Sequence, residues 1–187
     1  MSIKFGIDLG HNVRFDGGAA GVDKSENQLI MEVGNKVICK LQSLGHQVVE
    51  CKPESATSSG HALRQRTYTA NVAGVDRFVS IHFNAFNGQA HGAEVLYISQ
   101  AGRKLAQPVQ DEIVKLGFTN RGVKYRNNLH VLRATNAPAI LIECCFCDNW
   151  KDMKRYDAEK MANAIVKGLT GSFPNSSNKP CPTCGRV

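Results

Sequence analysis

The sequence predicts a single α/β domain: a mostly parallel, twisted sheet of about six strands with helices on both faces. Three observations carry this. Short apolar runs of strand length alternate with longer amphipathic segments along most of the chain. The strand-like runs are apolar on consecutive residues, as burial between two helical layers requires. A length of 187 residues with 42% hydrophobic and 21% charged residues fits one domain with a sizeable core. The same composition excludes a disordered, collagenous or membrane-spanning chain.

Ile3–Leu9 reads as the first strand. Glu26–Leu44 reads as a helix, because Leu29, Val33, Val37 and Leu41 recur at a spacing of four with Ile30, Ile38 and Leu44 beside them. Ser25 followed by Gln28 is a capping-box pattern, and Gly45 is a natural stop. Gln47–Cys51 is a second strand, followed by a Ser-rich loop and a shorter helix over Leu63–Ala73. Arg77–Phe83 and Ala93–Ile98 read as strands, and Lys104–Leu116 as a helix interrupted at Pro108. Leu129–Leu132 reads as a short strand, Ala139–Cys145 as a strong one, and Ala158–Leu169 as a closing helix with Met161, Ile165 and Leu169 on one face. Residues 1–171 are the expected domain. Residues 172–187, rich in Ser, Asn and Pro, are expected to form a flexible tail carrying Cys181-Pro182-Thr183-Cys184.

Lys+Arg 23 against Asp+Glu 16 leaves a formal charge of +7, which favours an anionic partner. No Arg/Lys-dense stripe with interleaved aromatics is present, so no nucleic-acid partner is expected. No apolar run approaches the roughly 20 residues that cross a bilayer, so no membrane span is expected. The start Met1-Ser2-Ile3-Lys4-Phe5 lacks the pattern of a signal peptide. The chain is therefore expected to be made in the cytoplasm, and to reach an outside target by lysis, injection or non-classical release. Seven cysteines, an odd number without an export signal, favour reduced thiols. Cys181 and Cys184 are half of a zinc-ribbon signature without a second pair.

Ligands of open α/β sheets bind beyond the carboxyl ends of the strands. There the sequence puts His11, in Asp8-Leu9-Gly10-His11-Asn12; His82, ending Ser80-Ile81-His82; and Glu143, ending Ile140-Leu141-Ile142-Glu143. Glu26 opens the first long helix. If the strands run parallel, all four point to one rim. Two imidazoles and a carboxylate around an open position are a ligand set for catalytic Zn²⁺, which lowers the pKa of water at that position toward about 7. A further carboxyl that does not bind the ion can then move the proton. Glu143 suits that task, since desolvation on an apolar strand raises its pKa. Taken singly, each residue has a plainer account: a His after a strand is commonly a turn residue, and Glu26 in a first helical turn is favoured by the helix dipole. Glu143, between Ile140, Leu141, Ile142 and two cysteines, must be paired, protonated or functional.

These segments resemble the zinc-dependent N-acetylmuramoyl-L-alanine amidases of bacterial cell-wall hydrolysis and phage lysis, over roughly Ile3 to Leu169. The matching motifs are Asp8-Leu9-Gly10-His11, Glu26 at the helix start, Arg66 with Ala70-Asn71, and Ser80-Ile81-His82-Phe83-Asn84-Ala85. They continue through Arg121-Gly122-Val123-Lys124, Val131-Leu132-Arg133 and Pro138-Ala139-Ile140-Leu141-Ile142-Glu143 to Phe146 and Asn149. The resemblance implies one catalytic Zn²⁺ on His11, Glu26 and His82, with Glu143 as the catalytic carboxylate. It also implies peptidoglycan as substrate, cleaved at the amide between N-acetylmuramic acid and L-alanine of the stem peptide. Asn84, Arg66 and Arg121 are the candidate substrate-binding residues, and a phage or a secretion or injection apparatus is a candidate partner. Cys145 departs from the family, which commonly has Gly there. Another zinc peptidase or deacylase, and a catalytically silent wall-binding module, remain alternatives at this stage.

Overall fold

The computed structural model describes residues 2–14 and 16–172, so the expected tail over 172–187, with Cys181 and Cys184, lies outside the described residues apart from Ser172. In chain order the elements are β1 (Lys4–Leu9), α1 (Glu26–Ser43), β2 (Gln47–Glu50), α2 (Ser59–Ala73), β3 (Arg77–Asn84), β4 (Ala93–Tyr97), α3 (Gln100–Val114), β5 (Asn120–Tyr125), α4 (His130–Arg133), β6 (Ala139–Phe146), α5 (Trp150–Arg155) and α6 (Ala158–Thr170). The strands form one sheet in the order β2-β1-β3-β6-β4-β5. β2, β1, β3 and β6 are mutually parallel; β4 is antiparallel to β6, and β5 is parallel to β4. The expected α/β sheet is present.

Alternation along the central strands sorts their side chains into two layers. Val79, Ile81, Ile140, Ile142 and Cys144 join residues of α1, α3 and α6 in one core. Phe78, Leu96, Ala139 and Leu141 pack with Ala70 of α2 and with Val131 and Leu132 of α4. Asp8, Ser80, His82 and Glu143 fall on this second face by the same period of two. The polar residues of the sheet therefore gather under α2 and α4, at the end where β1, β3 and β6 finish.

Several elements differ from expectation. α3 runs unbroken through Pro108 and starts four residues earlier, where Ser99 accepts a hydrogen bond from Gly102 N–H. Proline removes its own donor and crowds the carbonyl of Lys104, and packing of α3 on the sheet and on α6 outweighs both costs. Val131 and Leu132 belong to the single turn of α4 rather than to a strand. β5, with its half-exposed Asn-Arg-Gly-Val-Lys-Tyr, is a charged edge strand without the apolar run of a buried one. At α1 the capping box of Ser25 and Gln28 is formed as expected.

Cys51, Cys144, Cys145 and Cys147 are free and buried. Burial pushes the Cys144 and Cys145 thiols well above their ordinary range, so they pack as neutral apolar groups. Among the described residues no helix is long and apolar enough to cross a membrane.

α6 packs tightly against α3 at Gly168. A Cβ there would lie 2.5 Å from the Val109 Cα and 2.7 Å from its nitrogen, which is backbone that cannot give way cheaply. Gly168→Ala is expected to destabilise the fold by about 1–3 kcal/mol through overpacking. Denaturant unfolding would show a lower midpoint at unchanged slope; an unchanged midpoint would mean the two helices do not meet there.

Candidate metal centre and catalytic cleft

The rim is built from Asp8, a fully buried carboxylate on β1. An uncompensated charge at that depth costs several kcal/mol. Arg66 of α2 answers it, with Nη1 donating to Asp8 Oδ1, and Ser80 Oγ of β3 donates to Oδ2 at 2.6 Å. The same guanidinium extends to the backbone: Nη1 donates to the Leu9 carbonyl at 2.7 Å and Nη2 to the His11 carbonyl. These bonds hold a left-handed turn in which His11 has φ 50° and Asn12 φ 59°. Such conformations cost non-glycine residues on the order of 1–3 kcal/mol. Asn12 Nδ2 closes the turn by donating to the Gly10 carbonyl at 2.8 Å. Gly10 itself admits no side chain, because a Cβ would overlap the His82 imidazole lying on it.

The turn sets His11 against Glu26 and His82. His11 Nε2 and His82 Nδ1 each lie 3.2 Å from Glu26 Oε1. The three possible ligand atoms all lie within 4.8 Å of one another. Glu26 is buried at the start of α1, and its carboxylate accepts from Phe83 N–H at 3.1 Å and from Ala19 N–H at 2.8 Å. The other His11 nitrogen, Nδ1, hydrogen-bonds Asp16 Oδ1. A carboxylate behind an imidazole, fixing which nitrogen faces the site, is the usual support of a metal-ligating histidine. Burial alone would lower the His11 pKa, but the hydrogen bond and charge of Glu26, and then those of Asp16, raise it to about 9. Burial would likewise raise Glu26, yet the hydrogen bonds from His11 and His82 hold its carboxyl well below the usual range. A cation held between carboxylates is what this position favours, and the two imidazoles with one carboxylate fit a divalent ion.

A second row crosses the sheet beside this cluster. His82 on β3, Glu143 on β6 and Glu94 on β4 are register neighbours across three adjacent strands. Among the described residues Glu143 Oε2 is out of solvent with no hydrogen-bond partner. Burial pushes this carboxyl up to about 7; the charge of His82 opposes the rise, and the carboxylates of Glu26 and Glu94 add to it. Glu94 has the opposite surroundings. Arg121 Nε donates to its Oε2 at 2.9 Å and Lys124 Nζ donates to the same oxygen. These bonds outweigh its burial and keep it ionised.

The four residues expected at the site, His11, Glu26, His82 and Glu143, thus share one rim. Arg66 is 2% exposed with its fork occupied, and that geometry makes it an anchor for the His11 backbone rather than a free guanidinium for substrate. Arg121 reaches Glu94 and lies over the Phe146 ring at 4.8 Å. Asn84, two residues beyond His82, accepts from Ala85 N–H at 2.9 Å. Asp16 and Glu94 are missed by the sequence reading: the one sits in an irregular loop, and the other gains meaning only from strand pairing. A cleft of about 250 Å³ opens over His11 and His82, walled by Leu63 of α2 and by Asn128, Leu129 and His130.

A family model described as N-acetylmuramoyl-L-alanine amidase matches residues 6–172. An uncharacterized cell wall amidase of Bacillus anthracis is 31% identical over 87% of this chain, which spans 34% of that protein's length. The N-acetylmuramoyl-L-alanine amidase CwlM of Bacillus licheniformis is 31% identical over 94% of this chain and 69% of its own. Among solved structures, the catalytic domain of the CD27L endolysin targeting Clostridia Difficile is 29% identical with a TM-score of 0.84, over 92% of this chain and 99% of that domain.

In the metal-free protein the His11 imidazole stays protonated until the pH passes about 9. Zn²⁺ added at about pH 7.5 is therefore expected to expel close to one proton per ion, and almost none above about pH 10. Calorimetry in buffers of different ionisation enthalpy reads this number, and no release near neutrality would contradict the protonated cluster. The contribution of His11 to stability is complete below its ordinary value of 6.5 and is lost as the pH rises through about 9. Arg66→Ala leaves Asp8 buried and unpaired, and is expected to cost about 3–5 kcal/mol and to weaken zinc binding. Denaturation of the metal-free variant checks the first, and wild-type stability would remove Arg66 from its anchoring role.

Proposed function

This chain belongs to the family of N-acetylmuramoyl-L-alanine amidases, peptidoglycan-cleaving enzymes, and from that membership we propose that it hydrolyses the amide between N-acetylmuramic acid and L-alanine of the stem peptide. One Zn²⁺ would be held by His11, Glu26 and His82, with Glu143 as the catalytic carboxyl. The observation that supports this most strongly is the convergence of three donor atoms within 4.8 Å beside a carboxyl whose buried oxygen has no partner among the described residues. When bound, the ion supplies Lewis acidity toward the scissile carbonyl and toward water.

The remaining work falls to the chain's own side chains. Glu143, with a pKa of about 7, accepts a proton from the attacking water and returns it to the alanine nitrogen as the C–N bond breaks. The lactyl carbon keeps the water oxygen as a carboxyl group, and the peptide leaves with a free amine. Glu94, kept ionised by Lys124 and Arg121, adds to the rise of Glu143 from the next strand. Asp16 and Arg66 hold His11 from its Nδ1 and its carbonyl, so the imidazole does not have to be reoriented during turnover. Asn84 and Arg121 contact substrate at the end of β3 and beside Glu94.

Glu143→Gln is expected to retain stoichiometric zinc and lose about 10²–10⁴-fold in kcat. Mass spectrometry of purified peptidoglycan digests gives the readout: wild type should release peptides with a new N-terminal alanine. Cleavage at another bond would point to a different zinc peptidase or deacylase, and wild-type turnover by the variant would exclude Glu143 from the chemistry.

A further inference from the structure

Beyond the metal cluster, the loops after β3 and β6 carry two largely exposed aromatic rings, Phe86 at 79% and Trp150 at 66% exposure. These loops are stitched to each other. Asp148 Oδ2 accepts from the N–H groups of Phe86 and Gly88, both at 2.9 Å, and Asn149 Nδ2 donates to the Gly88 carbonyl at 2.8 Å. Asn149 Oδ1 caps α5 by accepting from Lys151 N–H and Asp152 N–H, which fixes the turn that presents Trp150. Between the loops lies a groove of about 290 Å³ lined by Gly88, Gln89, Asn149, Trp150 and Lys151.

We propose that this groove binds the glycan strand of the wall polymer, with an N-acetylhexosamine ring on the Trp150 indole and polar contacts from Gln89 and Lys151. The assignment rests on the amidase reading above, and three arguments carry it. A polymeric substrate must continue past a catalytic cleft of about 250 Å³. The groove sits at the same end of the sheet as the cleft: Phe86 is four residues beyond His82, hence within about 14 Å of it along the chain, and Trp150 opens α5 four residues beyond the end of β6. A sugar ring offers an apolar C–H face and polar edges, and an indole beside an amide and an ammonium group matches both.

Trp150 is the only tryptophan in the chain, so emission excited at wavelengths that tyrosine does not absorb reports on this groove. Wild-type protein titrated with peptide-free glycan strands is expected to show a saturable emission change, weakened about tenfold in Lys151→Ala or Gln89→Ala. Trp150→Ala is expected to raise KM on intact wall by a similar factor and leave kcat on a short muramyl-peptide fragment unchanged. No emission change with glycan, or a change with free stem peptide only, would overturn the assignment. The two readings fail separately: wall digestion without glycan binding removes the groove, and glycan binding without digestion removes the amidase activity.

Discussion

A carboxylate sealed beneath the sheet edge, and the guanidinium that neutralises it, hold the functional end of this molecule in place. Asp8 is fully buried on β1, and Arg66 crosses from α2 to meet it. Replacing such a pair with apolar residues would often leave a fold no less stable. Here its use is positional. The donors that Asp8 leaves free fix the carbonyls of Leu9 and His11, so one guanidinium turns burial of a charge into the shape of a loop. That loop keeps two non-glycine residues in left-handed conformations, a strain tolerated where a ligand must point one way.

From that anchor the electrostatics divide into two regions. Around Glu26, hydrogen bonds from both histidines and from Phe83 and Ala19 N–H groups keep negative charge in place. One strand further, Glu143 and Glu94 are paired residues of similar chemistry with opposite surroundings. Glu94 has two cations on one oxygen, while Glu143 has a buried oxygen with none. Environments that drive adjacent carboxyls apart in pKa assign one to hold charge and the other to carry protons. The antiparallel insertion of β4 beside β6 creates this contrast.

Much of this was legible in the sequence because the apolar runs end where the chemistry begins. Ile3–Leu9, Arg77–Phe83 and Ala139–Cys145 mark their own carboxyl ends, and His11, His82 and Glu143 follow from them. Glu26 was legible through the Ser25–Gln28 capping pattern, a local signal that survives folding. What was not legible depends on long-range geometry. Arg66 stands out by its motif, but its partner Asp8 becomes visible only once α2 docks over β1. Asp16 has no pattern in its irregular loop, and Glu94 acquires its place only from register with Glu143. Val131 and Leu132 fit a strand or a helical turn equally, and Pro108 is overruled by packing that no local rule contains.

The central claim is spatial, and diffraction at the zinc absorption edge from crystals of the zinc-loaded protein tests it most directly. The account predicts one strong anomalous peak bounded by the side chains of His11, Glu26 and His82, with Glu143 nearby and outside the coordination sphere. A peak bounded by cysteine sulfur instead, or Glu143 bound to the ion in place of Glu26, would contradict it.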